Sequence, residues 1–180
     1  MRRVTALLVA LLLTACNLYR PGRVQETAPP TDTPDYHDCY YNWATQPLPD
    51  LSRQVQQAME KAGLKGIKAS AEAYGENCFD SQTNEVVSFS AMETDFKLSL
   101  EVPDLADTQA LGDLVERILV VLDEFPTKST PGPQPGYVGI HFGSGDQVLN
   151  LWFLIEKGKA ARGEGLQGAA LLEWLQKNGK

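Results

Sequence analysis

The sequence predicts an α+β domain of two layers, a mostly antiparallel sheet of about four to five strands with helices packed on one face. Three observations lead there. Residues 110–122 carry a broad apolar stripe at helical spacing. Residues 67–74 and 86–102 alternate with period two. The periodic segments follow one another as helix, strands, helix, strands, helix, an order that suits a sheet with helices segregated to one side.

Taken in order, Asp50 is placed to cap a first helix whose apolar face is Leu51, Val55, Ala58, Met59 and Ala62, and Gly63 is a natural stop. Ile67, Ala69, Ala71 and Ala73 then line one face of a strand ending at Tyr74. Residues 75–84, which include Cys78, read as a polar connection. Residues 86–102 are extended, but their phase slips. Val87, Phe89 and Ala91 share one parity, while Met92, Phe96, Leu98, Leu100 and Val102 share the other. One residue of slip sends every side chain to the opposite face, so a bulge near residues 91–93, or two strands meeting there, is expected.

Asp104 or Asp107 can cap the second helix, with Ala110, Leu111, Leu114, Val115, Ile118, Leu119 and Leu122 inward and Pro126 beyond its end. The Pro/Gly-rich residues 126–136 form a loop. Residues 137–142 and 147–156 read as a hairpin across Gly143-Ser144-Gly145-Asp146. The second strand is apolar on both faces, which predicts a central position. A last helix covers about residues 166–177, with Leu166, Ala170, Leu171, Trp174 and Leu175 inward.

The beginning of the chain has a different character. Arg2 and Arg3 precede ten uncharged residues, Val4 to Leu13. As a helix these would span about 15 Å, against roughly 30 Å of bilayer hydrocarbon. That is the length of a signal-peptide apolar region and too short for a membrane span. Leu13-Thr14-Ala15-Cys16 follows, and this motif resembles the lipobox of bacterial lipoproteins. The resemblance implies that residues 1–15 are a signal peptide, that the Cys16 thiol receives a diacylglyceryl group, and that cleavage leaves Cys16 as an often acylated N-terminus. Two or more chains, each buried methylene contributing ~0.8 kcal/mol, anchor stably. The location implied is the extracytoplasmic face of a cell membrane or outer envelope. Asn17 does not select a leaflet. The remaining chain is similar to short uncharacterised lipoproteins, a likeness that brings no activity with it.

Lipidation of Cys16 would leave Cys39 and Cys78 out of three cysteines. An oxidising compartment favours a Cys39–Cys78 disulfide; two buried thiols are the alternative reading. Residues 16–46 read as a tether ending in an aromatic strap, and residues 47–180 as a single globular domain. The Pro- and Thr-rich tether has little apolar periodicity. The strap holds Tyr36, Tyr40, Tyr41 and Trp43, candidate ligand contacts if they do not simply cover the edge of the core.

Other chemistry is thinly represented. The formal charge of −7 becomes −9 once Arg2 and Arg3 are removed (−7 − 2), and no basic cluster is present, which argues against a nucleic-acid partner. Asp35, His37 and Asp38 fall short of a metal set. Gly163-Glu164-Gly165-Leu166-Gln167-Gly168 fits a dinucleotide fingerprint but has no second strand after it, so neither nucleotide nor other cofactor is expected. His141, Ser144 and Asp146 offer triad residue types on a turn without a scaffold. Glu72, Glu76, Asp80 and Glu85 read as a solvated acidic face rather than a paired-carboxylate site. No catalytic residue is assigned. The expected role is a membrane-anchored binding or interaction domain with a protein, peptide or glycan partner. The alternatives are an envelope hydrolase acting on carbohydrate or peptide, or an accessory subunit of a transporter or envelope complex.

Overall fold

The computed structural model describes residues 38–179. The lipobox, Cys16, Tyr36 and the Asp35/His37 pair lie outside that range. In chain order the elements are β1 (Cys39–Pro47), α1 (Pro49–Lys61), β2 (Lys68–Asp80), β3 (Val86–Glu101), α2 (Thr108–Leu122), β4 (Gln134–Ser144), β5 (Gln147–Leu154), α3 (Ile155–Gly163) and α4 (Gly168–Asn178). The sheet order is β1-β2-β3-β4-β5. All neighbours are antiparallel except β3 and β4, which run parallel across the α2 crossover. The α+β class with a mostly antiparallel sheet is therefore the fold of this chain.

One face of the sheet carries the core. Val55 and Met59 of α1, Val115, Ile118 and Leu122 of α2, and Leu171 and Leu175 of α4 pack with Phe96, Leu98, Val138, Ile140, Phe142 and Phe153. Asp107, the later of the two cap candidates, closes the α2 N-terminus by accepting from the Ala110 amide at 3.0 Å. Helices α2 and α4 meet at two glycines. A Cβ at Gly112 would stand 1.8 Å from the Gly168 carbonyl oxygen, a contact only hydrogen permits. Gly168 thus serves helix-to-helix contact, and the glycine motif that contains it follows helix α3.

Several other expectations give way. The strap residues 39–46, counted with the tether, form the edge strand β1, because pairing with β2 satisfies a backbone that a free strap would leave to water. Strand β2 continues six residues past Tyr74, to Asp80, through the segment expected to be a connection. Helix α1 starts from Leu48 with Pro49 in its first turn, and Asp50 instead pairs with Arg53 at 2.5 Å. Strand β5 is an edge rather than central, and it stops at Leu154, because the last apolar residue of the run, Ile155, opens α3. That helix buries only Ile155, Gly158 and Ala161, a face too narrow to stand out in the sequence. The phase slip in β3 is a bulge: Tyr74 pairs with Glu93 and Gly75 with Ala91, leaving Met92 as the extra residue.

The free edge of β2 beyond the end of β1 is covered by α1. The Ala71 amide donates to Ser52 Oγ at 2.9 Å. The Ala69 amide donates to Gln56 Oε1 at 2.7 Å, and Gln56 Nε2 donates to the Ile67 carbonyl at 2.9 Å. Among the described residues no helix is long and apolar enough to cross a membrane.

Candidate functional site

Alternation assigns the two faces of the sheet. Ala71, Phe96, Leu98, Val138, Ile140 and Leu151 point to the helices, so their neighbours in each strand point away from them. The outward set includes Tyr41 and Trp43 on β1, Lys68, Glu72, Tyr74 and Glu76 on β2, and Glu93, Asp95 and Lys97 on β3. Tyr137, Gly139 and His141 on β4, with Asn150 and Trp152 on β5, also belong to it.

Two aromatic stacks flank this face. Trp43 and Tyr74 lie with ring centroids 5.4 Å apart and planes 6° from parallel. Tyr137 and Trp152 lie 5.6 Å apart at 12°. The β1–β2 stack is separated from the β4–β5 stack by about three strand spacings, on the order of 15 Å. Trp43 is 59% and Trp152 39% exposed, so ring area remains available at both ends. The β4–β5 stack borders a shallow depression of about 330 Å³ lined by Lys97, Gly139, His141, Asn150 and Trp152.

Charged groups occupy the middle. Lys97 Nζ and Glu72 Oε1 form an ion pair at 2.5 Å across β2 and β3. Asp95 is buried, and its Oδ1 accepts from the Tyr137 amide at 2.7 Å, joining β3 to β4 where their register shifts. Burial raises the Asp95 carboxyl above the ordinary range; the Glu72 charge adds to this, while the Tyr137 amide and the Lys97 charge oppose it. Burial and then the Asp95 charge raise Glu93. The arrangement combines flat rings, hydrogen-bond acceptors and the Lys97 ammonium, groups able to hold a ligand with both apolar faces and polar edges.

The predicted site residues are distributed unevenly. Tyr41 and Trp43 stand on the uncovered face, whereas Tyr40 points to the opposite one, stacks on Phe79 at 5.2 Å and donates to Asn84 Oδ1. Cys39 and Cys78 are joined, with Cα atoms 5.4 Å apart, and pin the start of β1 to β2. His141 lies 2.9 Å from Asn150 Oδ1, Ser144 donates to the Pro103 carbonyl at 3.2 Å, and Asp146 sits in the β4–β5 turn, so the triad types are not brought together. Asp80 shapes the β2–β3 turn by accepting from the Gln82 and Thr83 amides at 2.8 Å each. Among the described residues, no group of three or more His, Cys, Asp or Glu side chains is placed to hold a metal ion. Tyr74, Tyr137 and Trp152 escaped the sequence reading. Each is the single aromatic residue on that face of its strand, and only strand order brings it to a partner.

Compared with protein-family models, with curated proteins and with solved structures, the chain matches none.

Proposed function

We propose that this protein is a membrane-anchored extracytoplasmic lipoprotein whose domain binds an envelope glycan on the uncovered face of its sheet. The observation that carries the binding reading is the pair of aromatic stacks, Trp43–Tyr74 and Tyr137–Trp152, on one face with Glu72, Asp95 and Lys97 between them. Ring faces suit the C–H surfaces of sugars, and carboxylates and an ammonium suit their hydroxyls. The anchor rests on the Leu13-Thr14-Ala15-Cys16 motif.

Two experiments test the two halves. Metabolic labelling with a fatty acid is expected to mark the wild type and not Cys16→Ser; an unlabelled wild type would sink the anchor. Retention of the full chain on immobilised envelope polysaccharide is expected to drop at least tenfold in both Trp43→Ala and Trp152→Ala, with near-wild-type thermal melting. Equal retention of all three would remove the sheet face as the binding surface. In-cell crosslinking that finds one recurrent protein at this face would replace the glycan with a protein partner.

A further inference from the structure

The outer edge of β1 is left open along its length. Its nine residues, Cys39–Pro47, contain no charged side chain, and neither do the eight of the other edge strand, β5. Tyr40, Tyr41 and Trp43 are all at least 41% exposed. Exposed edges are normally blunted by charge, bulges or a covering element, because their unpaired amides and carbonyls template further strands. This chain does so elsewhere. Ser52 and Gln56 cover the bare end of β2. At the C-terminal end of β5, the Leu154 amide donates to the Gly179 carbonyl and α4 packs alongside. Helix α1 packs over β2 and α2 rather than over β1, and β2 is the one described strand that pairs with β1.

The hydrogen-bond phase shows which groups face outward. The Leu48 amide donates to the Ala71 carbonyl, and the Ser81 amide to the Asp38 carbonyl. Even-numbered residues therefore direct their main chain toward β2. Cys39, Tyr41, Trp43 and Thr45 direct theirs to the outside. Pro47 shares that phase but has no N–H to offer, which closes the open run.

We infer that β1 is a self-pairing edge at which two copies of this chain join, antiparallel and about a two-fold axis, into one continuous sheet. One register uses every outward amide and carbonyl from Cys39 to Thr45. Cys39 faces Thr45 of the second copy and Tyr41 faces its Trp43, each pair exchanging both N–H···O bonds. The two-fold repeats both pairings, so two Tyr41–Trp43 contacts form side by side on the uncovered face. Sliding by two residues toward the C-terminus would set Pro47 against Cys39 and lose a donor. The pairing is isologous and so closes at two copies. It also brings no like charges opposite each other, because the strip has none.

The test is a cysteine placed on the axis. In this register Asn42 faces Asn42 of the second copy as a non-hydrogen-bonded pair, with Cα atoms about 4.5 Å apart, within the ~4.4–6.8 Å range of a disulfide. Full-length Asn42→Cys, oxidised in the membranes of the cells that make it, is expected to give a dimer linked through residue 42. Gln46→Cys, on the same face of β1 as Asn42 but well off the axis, is expected to give at least tenfold less. Thr45→Pro removes one outward donor and no β1–β2 bond. Added to Asn42→Cys, it is expected to cut the linked dimer at least tenfold while the Cys39–Cys78 bond is retained. Absence of dimer in a chain that still forms Cys39–Cys78 would overturn the inference, and so would equal crosslinking at positions 42 and 46.

Discussion

The indole of Trp152 fills the space in front of Gly139, its cross-strand partner: a Cβ at residue 139 would stand 2.5 Å from Cζ3 and 2.6 Å from Cε3 of the ring. Gly139 is therefore part of the binding face although it has no side chain. Gly139→Ala is expected to displace the ring and open its stack with Tyr137. Near-UV circular dichroism should lose the same band as in Trp152→Phe, and stability should fall by roughly 1 kcal/mol. An unaltered near-UV spectrum would mean that the indole is placed by other contacts.

The α2–α4 contact should be the least tolerant place in the helical layer. Gly112→Ala puts a methyl where the Gly168 carbonyl now lies, so α4 must move off its packing on α2. A loss of about 1–3 kcal/mol in urea unfolding is expected. A change of no more than a few tenths would show that α4 slides freely.

Removing the disulfide by Cys39→Ser with Cys78→Ser opens a loop of sequence separation 39. On loop-closure entropy the expected cost is about 3–4 kcal/mol. The loss should be uneven. Amide exchange should quicken first in β1, whose one partner among the described strands is β2, while Val115 and Ile118 of α2 keep their protection. Uniform acceleration would indicate that β1 and the core unfold as one unit.

Two aspartates should drive stability in opposite directions with pH. Burial, aided by the Glu72 charge, raises the folded-state value of Asp95 above the unfolded one. The folded chain thus keeps that proton to higher pH, and stability falls as pH rises from the unfolded value through the raised one. Asp95→Asn retains an acceptor for the Tyr137 amide without the charge. It is expected to be more stable than wild type at neutral pH, the advantage fading below about pH 4. For Asp123, burial pushes upward, but the hydrogen bonds and charges of Arg162 and Lys159 prevail and hold it below the ordinary value. Its contribution is present above the unfolded value and is lost as pH falls through the lowered one. Asp123→Asn should therefore cost stability at neutral pH and converge on wild type in acid. Urea midpoints measured from pH 3 to pH 7 check both signs.

Legibility in the sequence followed the strength of each periodic signal. The apolar stripe of α2 and the parity slip of β3 have one physical meaning each, and the structure contains the helix and the bulge at Met92. Strand β1 was opaque because its exposure on both faces leaves no alternation: Tyr40, Tyr41 and Trp43 are exposed alike. Strand β5 misled for the opposite reason. Val148 and Trp152 are apolar residues on an uncovered face, so an edge strand carries the composition of a central one. Half of the candidate site was hidden because it is assembled by strand order. Trp43 meets Tyr74 through the β1–β2 register, and Tyr137 meets Trp152 through the β4–β5 register. No local window of sequence contains either pair.

The position of Cys39 also governs how the domain answers a mechanical pull from the N-terminal side. Force arriving through Asp38 enters an edge strand at its first residue, the geometry in which an antiparallel ladder opens one rung at a time. Here the first residue is covalently bonded to Cys78. Tension passes directly into β2, a strand paired on both sides, and bypasses the hydrogen bonds of Tyr40 to Pro47. While the bond is oxidised, β1 and its rings stay seated under a pull; once it is reduced, the same strand becomes the first part of the domain to peel away.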